Sequence, residues 1–293
     1  MGSNPPSDLR ASLARDGYVL ISSALNQDQL EELRSACAGV TQLARGGKWP
    51  HIRTLPKQFP PWPSDSSHGI WGVQHLLHPS LPHSTTFAES YFGDAIVKPV
   101  KELLQCEEDD LVMELYNMLV RPDEDFELRW HRDDIQPTAT AAEEEAVLSE
   151  PVWHAQWNLA LFEDKSLVVV PGSHKRARTN AEREADAYEP NMPGQWVVHL
   201  QPGDLMFYNN NILHRGIYDS TVERMTLHGT IGRVGEDPAR ARNVLQHGVG
   251  SWVEECDFSK LDAKLKQRAE EMRNRLLDMG KAKTGVTYSQ IDS

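Results

Sequence analysis

The sequence predicts a mainly antiparallel β fold, a sandwich or barrel, flanked by helices at both ends. Three observations predict it. From about residue 110, short β-rich runs are cut at close intervals by turn signals such as Arg121-Pro122-Asp123, Pro171-Gly172 and Pro202-Gly203-Asp204. Before that point, and again after about residue 258, apolar residues recur at helical spacing. The run Arg224-Met225-Thr226-Leu227-His228-Gly229-Thr230 alternates polar with apolar residues, as a strand with one wet, inward face does.

Taken in order, residues 7–16 read as a short helix stopped at Asp16-Gly17, followed by a strand, Tyr18-Val19-Leu20-Ile21. Asn26 is an N-cap for a helix whose apolar face carries Leu30, Leu33 and Cys37. Between Gly46 and His83 the periodicity dissolves into a long loop rich in proline and tryptophan, and loops of that length are usually functional or disordered. Its aromatic content favours an ordered wall. Residues 84–105 return to helix, with Phe87, Tyr91, Ile96, Val100, Leu103 and Leu104 apolar. Strands then follow at Leu111–Val120, Trp153–Leu161, Leu167–Val170, Gln195–Leu200, Leu205–Tyr208 and Arg224–Ile231. The acidic stretch Ala141–Glu150 reads as a solvated loop, and Phe258–Leu277 as a charged amphipathic helix bracing the outside of the sheet.

Composition narrows the function. The 293 residues carry a formal net charge of −13, which disfavours nucleic acid as substrate because phosphate neutralisation needs clustered Lys and Arg. No apolar run is long enough to span a membrane, and Met1-Gly2-Ser3-Asn4-Pro5-Pro6 has neither the basic residue nor the apolar core of a secretory signal. Cys37, Cys106 and Cys256 are too widely spaced for a zinc site and odd in number, pointing to a reducing, cytoplasmic setting. A small molecule is the expected partner, with no membrane; a homodimer is left open.

The segment Trp130-His131-Arg132-Asp133-Asp134 concentrates the chemistry. On extended chain His131 and Asp133 leave the same face, and His214, just past a strand, could return to them in a folded sheet. Two imidazoles and one carboxylate leave coordination positions open, the facial arrangement of non-haem Fe(II) oxygenases. Among 12 histidines a His-x-Asp pair also arises by chance. His75 and His78 form a second pair, read as surface or pocket-lining, and Asp134, on the opposite face, as a supporting or capping residue. Arg224 strengthens the reading. Aimed into a barrel it is a costly buried cation unless an anion meets it, and the far carboxylate of 2-oxoglutarate supplies one, with Thr226 a second donor on the same face. An ordinary surface salt bridge is the competing explanation for Arg224.

With those residues in place, the chain resembles the phytanoyl-CoA dioxygenase family of Fe(II)/2-oxoglutarate oxygenases. The matching features are Asp16 to Leu20, Trp130-His131-Arg132-Asp133, Ser166-Leu167-Val168-Val169-Val170-Pro171-Gly172-Ser173-His174, Pro202-Gly203-Asp204-Leu205-Met206-Phe207 and Leu213-His214-Arg215-Gly216, with Arg224 beyond. The resemblance implies a double-stranded β-helix, or jelly-roll, core of cupin type over 106–235. A helical and loop part, 1–105, would precede it and a helical extension, 236–293, follow, all as a single domain, 1–293. It makes His131, Asp133 and His214 the iron ligands and Arg224 the 2-oxoglutarate anchor, with Asn158 beside the co-substrate. His154, Gln156 and Asn158 alternate onto one face, either a pocket lining or a solvent-facing edge, and His174 is structural. Asp164-Lys165 stands where the family commonly has Asn-Gly. Asp133 itself disfavours halogenation, since halogenating relatives carry a small residue there.

The implied activity is a dioxygenase using Fe(II), 2-oxoglutarate and O2 to oxidise a C–H bond of a small molecule, a secondary metabolite being at least as apt as an acyl-CoA, by hydroxylation, desaturation or cyclisation. The loop bearing Trp49, Arg53, Phe59, Trp62 and Trp71 is the candidate substrate wall, with plain packing over the sheet as the alternative. Two rival classes remain: an inactive jelly-roll protein that binds metal or ligand, and a cupin-type metal-dependent hydrolase or isomerase.

Overall fold

The computed structural model of the chain describes residues 8–235 and 239–281. The stretch Met1 to Pro6, which lacks a signal-like pattern, lies outside the described residues, as do residues 236–238 at the start of the expected C-terminal extension.

Local chemistry sets the first elements. Helix α1 (Leu9–Asp16) is capped by the Asp8 carboxylate, which accepts from the Ala11 amide, and it stops at Gly17, whose φ is 85°. A Cβ at that position would lie 2.5 Å from the His174 ring, so glycine is required there twice over. Strand β1 (Tyr18–Ile21) follows. Helix α2 (Gln27–Arg45) opens on a capping box between Asn26 and Gln29 and buries Leu30, Leu33, Cys37 and Val40.

The next elements are β2 (Ile52–Thr54), β3 (Ile70–Val73), α3 (Ser84–Phe92), α4 (Asp94–Leu104), β4 (Leu111–Val120), β5 (Phe126–Glu127), α5 (Ala141–Leu148), β6 (His154–Ala160) and β7 (Leu167–Val170). Then come α6 (Asn180–Glu184), β8 (Trp196–Val197), β9 (Leu205–Tyr208), β10 (Leu213–Tyr218), β11 (Met225–Arg233), α7 (Ala239–Gln246) and α8 (Ala263–Gly280).

The strands form a seven-stranded sheet, β1-β9-β6-β11-β4-β3-β2, and a four-stranded sheet, β5-β10-β7-β8. Every pairing is antiparallel. From β4 to β11 the chain passes back and forth between the sheets, which is the jelly-roll, or double-stranded β-helix, winding. Apolar side chains close the gap between the layers: Ala160, Met206 and Tyr208 of the large sheet pack with Leu167 and Val169 of the small one. Helix α8 braces the outer side of β4, its buried Arg268 held by Glu108 and Asp94.

Four expectations are corrected. The 46–83 segment is not all loop: β2 and β3 extend the large sheet beyond β4. They are three and four residues long, and β3 is buried on both faces, so no alternation marks them. Ala141–Glu150 is not a solvated loop but contains α5, opened by a capping box of Thr140 and Glu143. Its Glu144 is buried and bonded to Arg178 and Arg183. His214 lies within β10, not past a strand, and the expected strand at Gln195–Leu200 shrinks to Trp196–Val197. The three cysteines are free, and no described helix is long and apolar enough to cross a membrane.

Candidate metal centre

His131 and His214 come together through the backbone. The His131 amide donates to the His214 carbonyl at 2.9 Å, and the His214 amide returns the bond at 3.0 Å. In an antiparallel ladder such reciprocal pairs put opposed side chains on one face. The imidazole centroids are 4.2 Å apart. Asp133, two residues on, is held by its amide bond to the Asn210 carbonyl at 2.9 Å, so it meets the same spot.

The three side chains converge. His131 Nε2 lies 3.6 Å and His214 Nε2 3.7 Å from Asp133 Oδ1, and the ligand atoms all fall within 4.8 Å of one another. Among the described residues this is the one such His/Cys/Asp/Glu group. Each imidazole also has its other nitrogen occupied: His131 Nδ1 is 2.8 Å from the Arg129 carbonyl and His214 Nδ1 is 2.8 Å from the Ile212 carbonyl. A carbonyl only accepts, so both Nδ1 atoms carry the proton and both Nε2 lone pairs face Asp133. Burial, reinforced by His214, pushes the His131 pKa well below its usual value and keeps the ring neutral. Neutral imidazoles and a carboxylate, oriented before any ion arrives, fit a divalent transition metal.

Neighbouring residues hold the geometry. Gln156 donates to Asp133 Oδ2 at 3.0 Å, which leaves Oδ1 toward the imidazoles. Arg132 points the other way, buried, and donates to the carbonyls of Ser173, Asn211 and Arg176, tying this segment to the turn after β7 and to the turn before β10. Asp134 accepts from the side chains of Asn210 and Asn211, the supporting role expected of it. Arg132, Asn210 and Gln156 were not singled out as parts of the centre; only the even spacing of His154, Gln156 and Asn158 pointed toward it.

An inner cavity runs from His131, Asp133 and His214 to Arg224 and is lined also by Asn158, Tyr218 and His228. Here the structure corrects the expected unpaired cation. Arg224 is buried, but its Nε donates to Asp164 Oδ2 at 3.1 Å. Burial raises the Asp164 pKa, yet Arg224, Ser166 and Thr226 outweigh it and leave the carboxyl below its ordinary value. Thr226 Oγ1 also donates to Asp164 Oδ2, at 2.5 Å, so it supports the pair and does not line the inner cavity. Arg224 Nη1 is buried with no hydrogen-bond partner among the described residues, leaving one edge of the guanidinium open. Asn158 Oδ1 is 2.9 Å from His228 Nδ1, and burial lowers the His228 pKa to about 3.

A wider outer cavity opens on the other side of His131 and Asp133. Arg53, Phe59, Trp62 and Trp71 line it as the sequence suggested, whereas Trp49 packs instead against His51 and His78. His154 and Gln156 line it too and are buried, so the polar face of β6 is a pocket lining and not a solvent-facing edge. His75 is buried and accepts a hydrogen bond from Trp252, and it faces neither the surface nor the cavity; His174 is structural, packed over Gly17.

The family model described as phytanoyl-CoA dioxygenase matches residues 13–221. No curated protein matches the chain. Among solved structures, AviO1 from Streptomyces viridochromogenes Tue57 is similar, with a TM-score of 0.56 and 14% identity over 79% of this chain and 96% of that one. EctD from S. alaskensis gives a TM-score of 0.57 and 16% identity over 78% of this chain and 77% of its own. HygX from Streptomyces hygroscopicus gives 0.57 and 17% over 79% and 88%. At such identities the likeness establishes the shared fold.

Proposed function

The chain belongs to the phytanoyl-CoA dioxygenase family, and on that premise we propose that it is an Fe(II)- and 2-oxoglutarate-dependent dioxygenase acting on a small organic molecule. The observation that carries the reading is the convergence of His131, Asp133 and His214 with both imidazole Nδ1 atoms already bonded. These three residues would hold the metal. Bound there with 2-oxoglutarate and O2, iron supplies the oxidation of a C–H bond while the co-substrate is decarboxylated to succinate.

The protein's own work is orientation and exclusion of water. The open Nη1 edge of Arg224 would receive the distal carboxylate of 2-oxoglutarate in the inner cavity, and Asn158, fixed against His228, would border it. Gln156 keeps Asp133 in its ligating orientation. Phe59 stands edge-on to the His131 ring, centroids 5.4 Å apart, and shields the centre on the side of the outer cavity. The organic substrate would enter that cavity, against Arg53, Phe59, Trp62 and Trp71.

Solved relatives support a small-molecule substrate. EctD was crystallised with 2-oxoglutarate and 5-hydroxyectoine, and HygX with nickel, 2-oxoglutarate and hygromycin B. A secondary metabolite is the substrate class we favour, hydroxylation the default outcome, and desaturation or ring closure would use the same ligands. One observation favours a second reading. Arg224 already has a carboxylate partner in Asp164, so the inner cavity does not require a dicarboxylate, and a cupin-type metal-dependent hydrolase or isomerase would keep the same three ligands. Succinate formation from 2-oxoglutarate in air, with Fe(II) added, separates the two. The oxygenase reading requires slow succinate release by the wild-type chain and none by Asp133→Ala. Metal binding without any turnover or binding of 2-oxoglutarate would favour the hydrolase reading.

A further inference from the structure

Most interior arginines among the described residues are matched to acceptors. Arg224 meets Asp164, Arg240 meets Glu114, Arg268 meets Glu108 and Asp94, and the buried Arg132 donates to three carbonyls. Two are not: Arg242, whose Nε is likewise unpartnered but which borders neither cavity, and Arg53 on β2, which has no hydrogen bond or ion pair among the described residues. Its Nε is sealed from solvent and unpartnered.

The surroundings of Arg53 are built rather than incidental. Its partner across the β2–β3 ladder is Gly72, and a Cβ on Gly72 would come within 2.9 Å of Arg53 Cδ. The missing side chain is what lets the arginine lie across the neighbouring strand. Its guanidinium carbon then sits 5.1 Å from the ring centroid of Trp62 and 5.1 Å from that of Trp71. Both indoles are pinned, Trp62 Nε1 donating to the Lys57 carbonyl at 2.9 Å and Trp71 Nε1 to the same carbonyl at 3.1 Å. Burial pulls the Arg53 pKa down, the signature of a cation whose surroundings do not offset its desolvation. The side chain borders both the inner cavity with the metal ligands and the wider outer one.

Resting on the oxygenase reading above, we propose that Arg53 is the anion-recognition point for the organic substrate, which therefore carries a carboxylate. A buried cation set against one side of an edge-to-face pair of indoles, without a protein acceptor, is offset only when a ligand brings negative charge. The planar fork of arginine suits a carboxylate, which it binds through paired N–H donors. The co-substrate would have a separate donor in the open edge of Arg224, which lines the inner cavity. The outer wall also carries Arg240, already paired with Glu114, and Asp134, while Asn117, Gln156, Asn243 and Thr230 offer neutral hydrogen-bonding groups to the body of the substrate.

The test uses benzoate and benzamide, a matched acid and amide, titrated into the full chain loaded with Mn(II) and saturated with 2-oxoglutarate. Tryptophan fluorescence reads binding directly beside Trp62 and Trp71. Benzoate should bind about tenfold or more tightly than benzamide, a ratio typical of one charge-assisted contact. That preference should collapse in Arg53→Gln and recover in part in Arg53→Lys. The proposal is overturned if wild type shows no preference for the acid, whether or not either compound binds, or if Arg53→Gln keeps the preference. It is also overturned if Arg53→Gln loses affinity for 2-oxoglutarate as severely as Arg224→Gln, because Arg53 would then serve the co-substrate. If wild type fails to bind 2-oxoglutarate at all, the oxygenase reading fails, and the same titration without 2-oxoglutarate still decides the role of Arg53.

Discussion

Arg224 and Asp164 form a buried ion pair, Nε to Oδ2 3.1 Å, with Arg224 lining the inner cavity and both residues lining a separate pocket behind it. The pair has two separable consequences, one for stability and one for co-substrate binding. Arg224→Gln strands a buried carboxylate and should cost about 3–5 kcal/mol of stability. The double variant Arg224→Gln/Asp164→Asn removes both charges and should recover most of that loss in urea denaturation. Affinity for 2-oxoglutarate should fall about 100-fold in both, since the open guanidinium edge is absent from each. Asp164→Asn alone keeps Arg224 and should lose less than about tenfold. Unchanged 2-oxoglutarate affinity in Arg224→Gln would remove Arg224 from the site.

Gln156 restrains Asp133 from behind, at 3.0 Å from Oδ2. Gln156→Leu keeps the bulk but lets the carboxylate swing. Supporting contacts of this kind typically contribute about 10–100-fold to metal affinity. Co(II) or Mn(II) titration should show a loss of that size, with the melting temperature of the metal-free protein changed little. Equal metal affinity in the two proteins would mean that Asp133 is oriented by its backbone alone.

Glu144 distinguishes the observed α5 from a solvated acidic loop. Its carboxylate is fully buried, 2.6 Å from Arg178 Nε and 3.0 Å from Arg183 Nη2. Glu144→Ala should therefore destabilise the protein by about 3–5 kcal/mol, while a surface position would shift it by no more than about 0.5. Chemical denaturation of the variant measures the difference.

Stability should fall as the solution is acidified below neutrality. Burial holds His75 down to about 3, helped by His51 and His78, and holds His154 down to about 3, helped by Arg240. In the unfolded chain each titrates near about 6.5. Between those values the unfolded state binds more protons, so stability is fully present above about 6.5 and declines toward about 3, by about 1.4 kcal/mol per pH unit for each group. Urea midpoints at successive pH values below neutrality should show the decline, and His75→Gln should flatten it. A midpoint independent of pH in that range would mean that neither ring is held neutral.

Much of the site was legible in the sequence because its parts are local. His131 and Asp133 share a face by spacing alone, and strand alternation placed Arg224 indoors. Asn158 and Gln156 followed from the same rule on β6. The partner of Arg224 was hidden because Asp164 sits 60 residues away, with nothing in the intervening pattern to join them. Strands β2 and β3 escaped for a different reason: they are short, and β3 is buried on both faces, which erases the period-two signal. The acidic content of α5 obscured a capping box, Thr140 with Glu143, that was there to be read.

The most direct test of the central claim is the metal dependence of 2-oxoglutarate binding, followed calorimetrically on metal-free and Mn(II)-loaded protein. The wild-type chain should bind one Mn(II) and gain 2-oxoglutarate affinity only with the metal, and Asp133→Ala should lose both. Mn(II) binding retained in Asp133→Ala, or 2-oxoglutarate affinity indifferent to the metal, would contradict that claim.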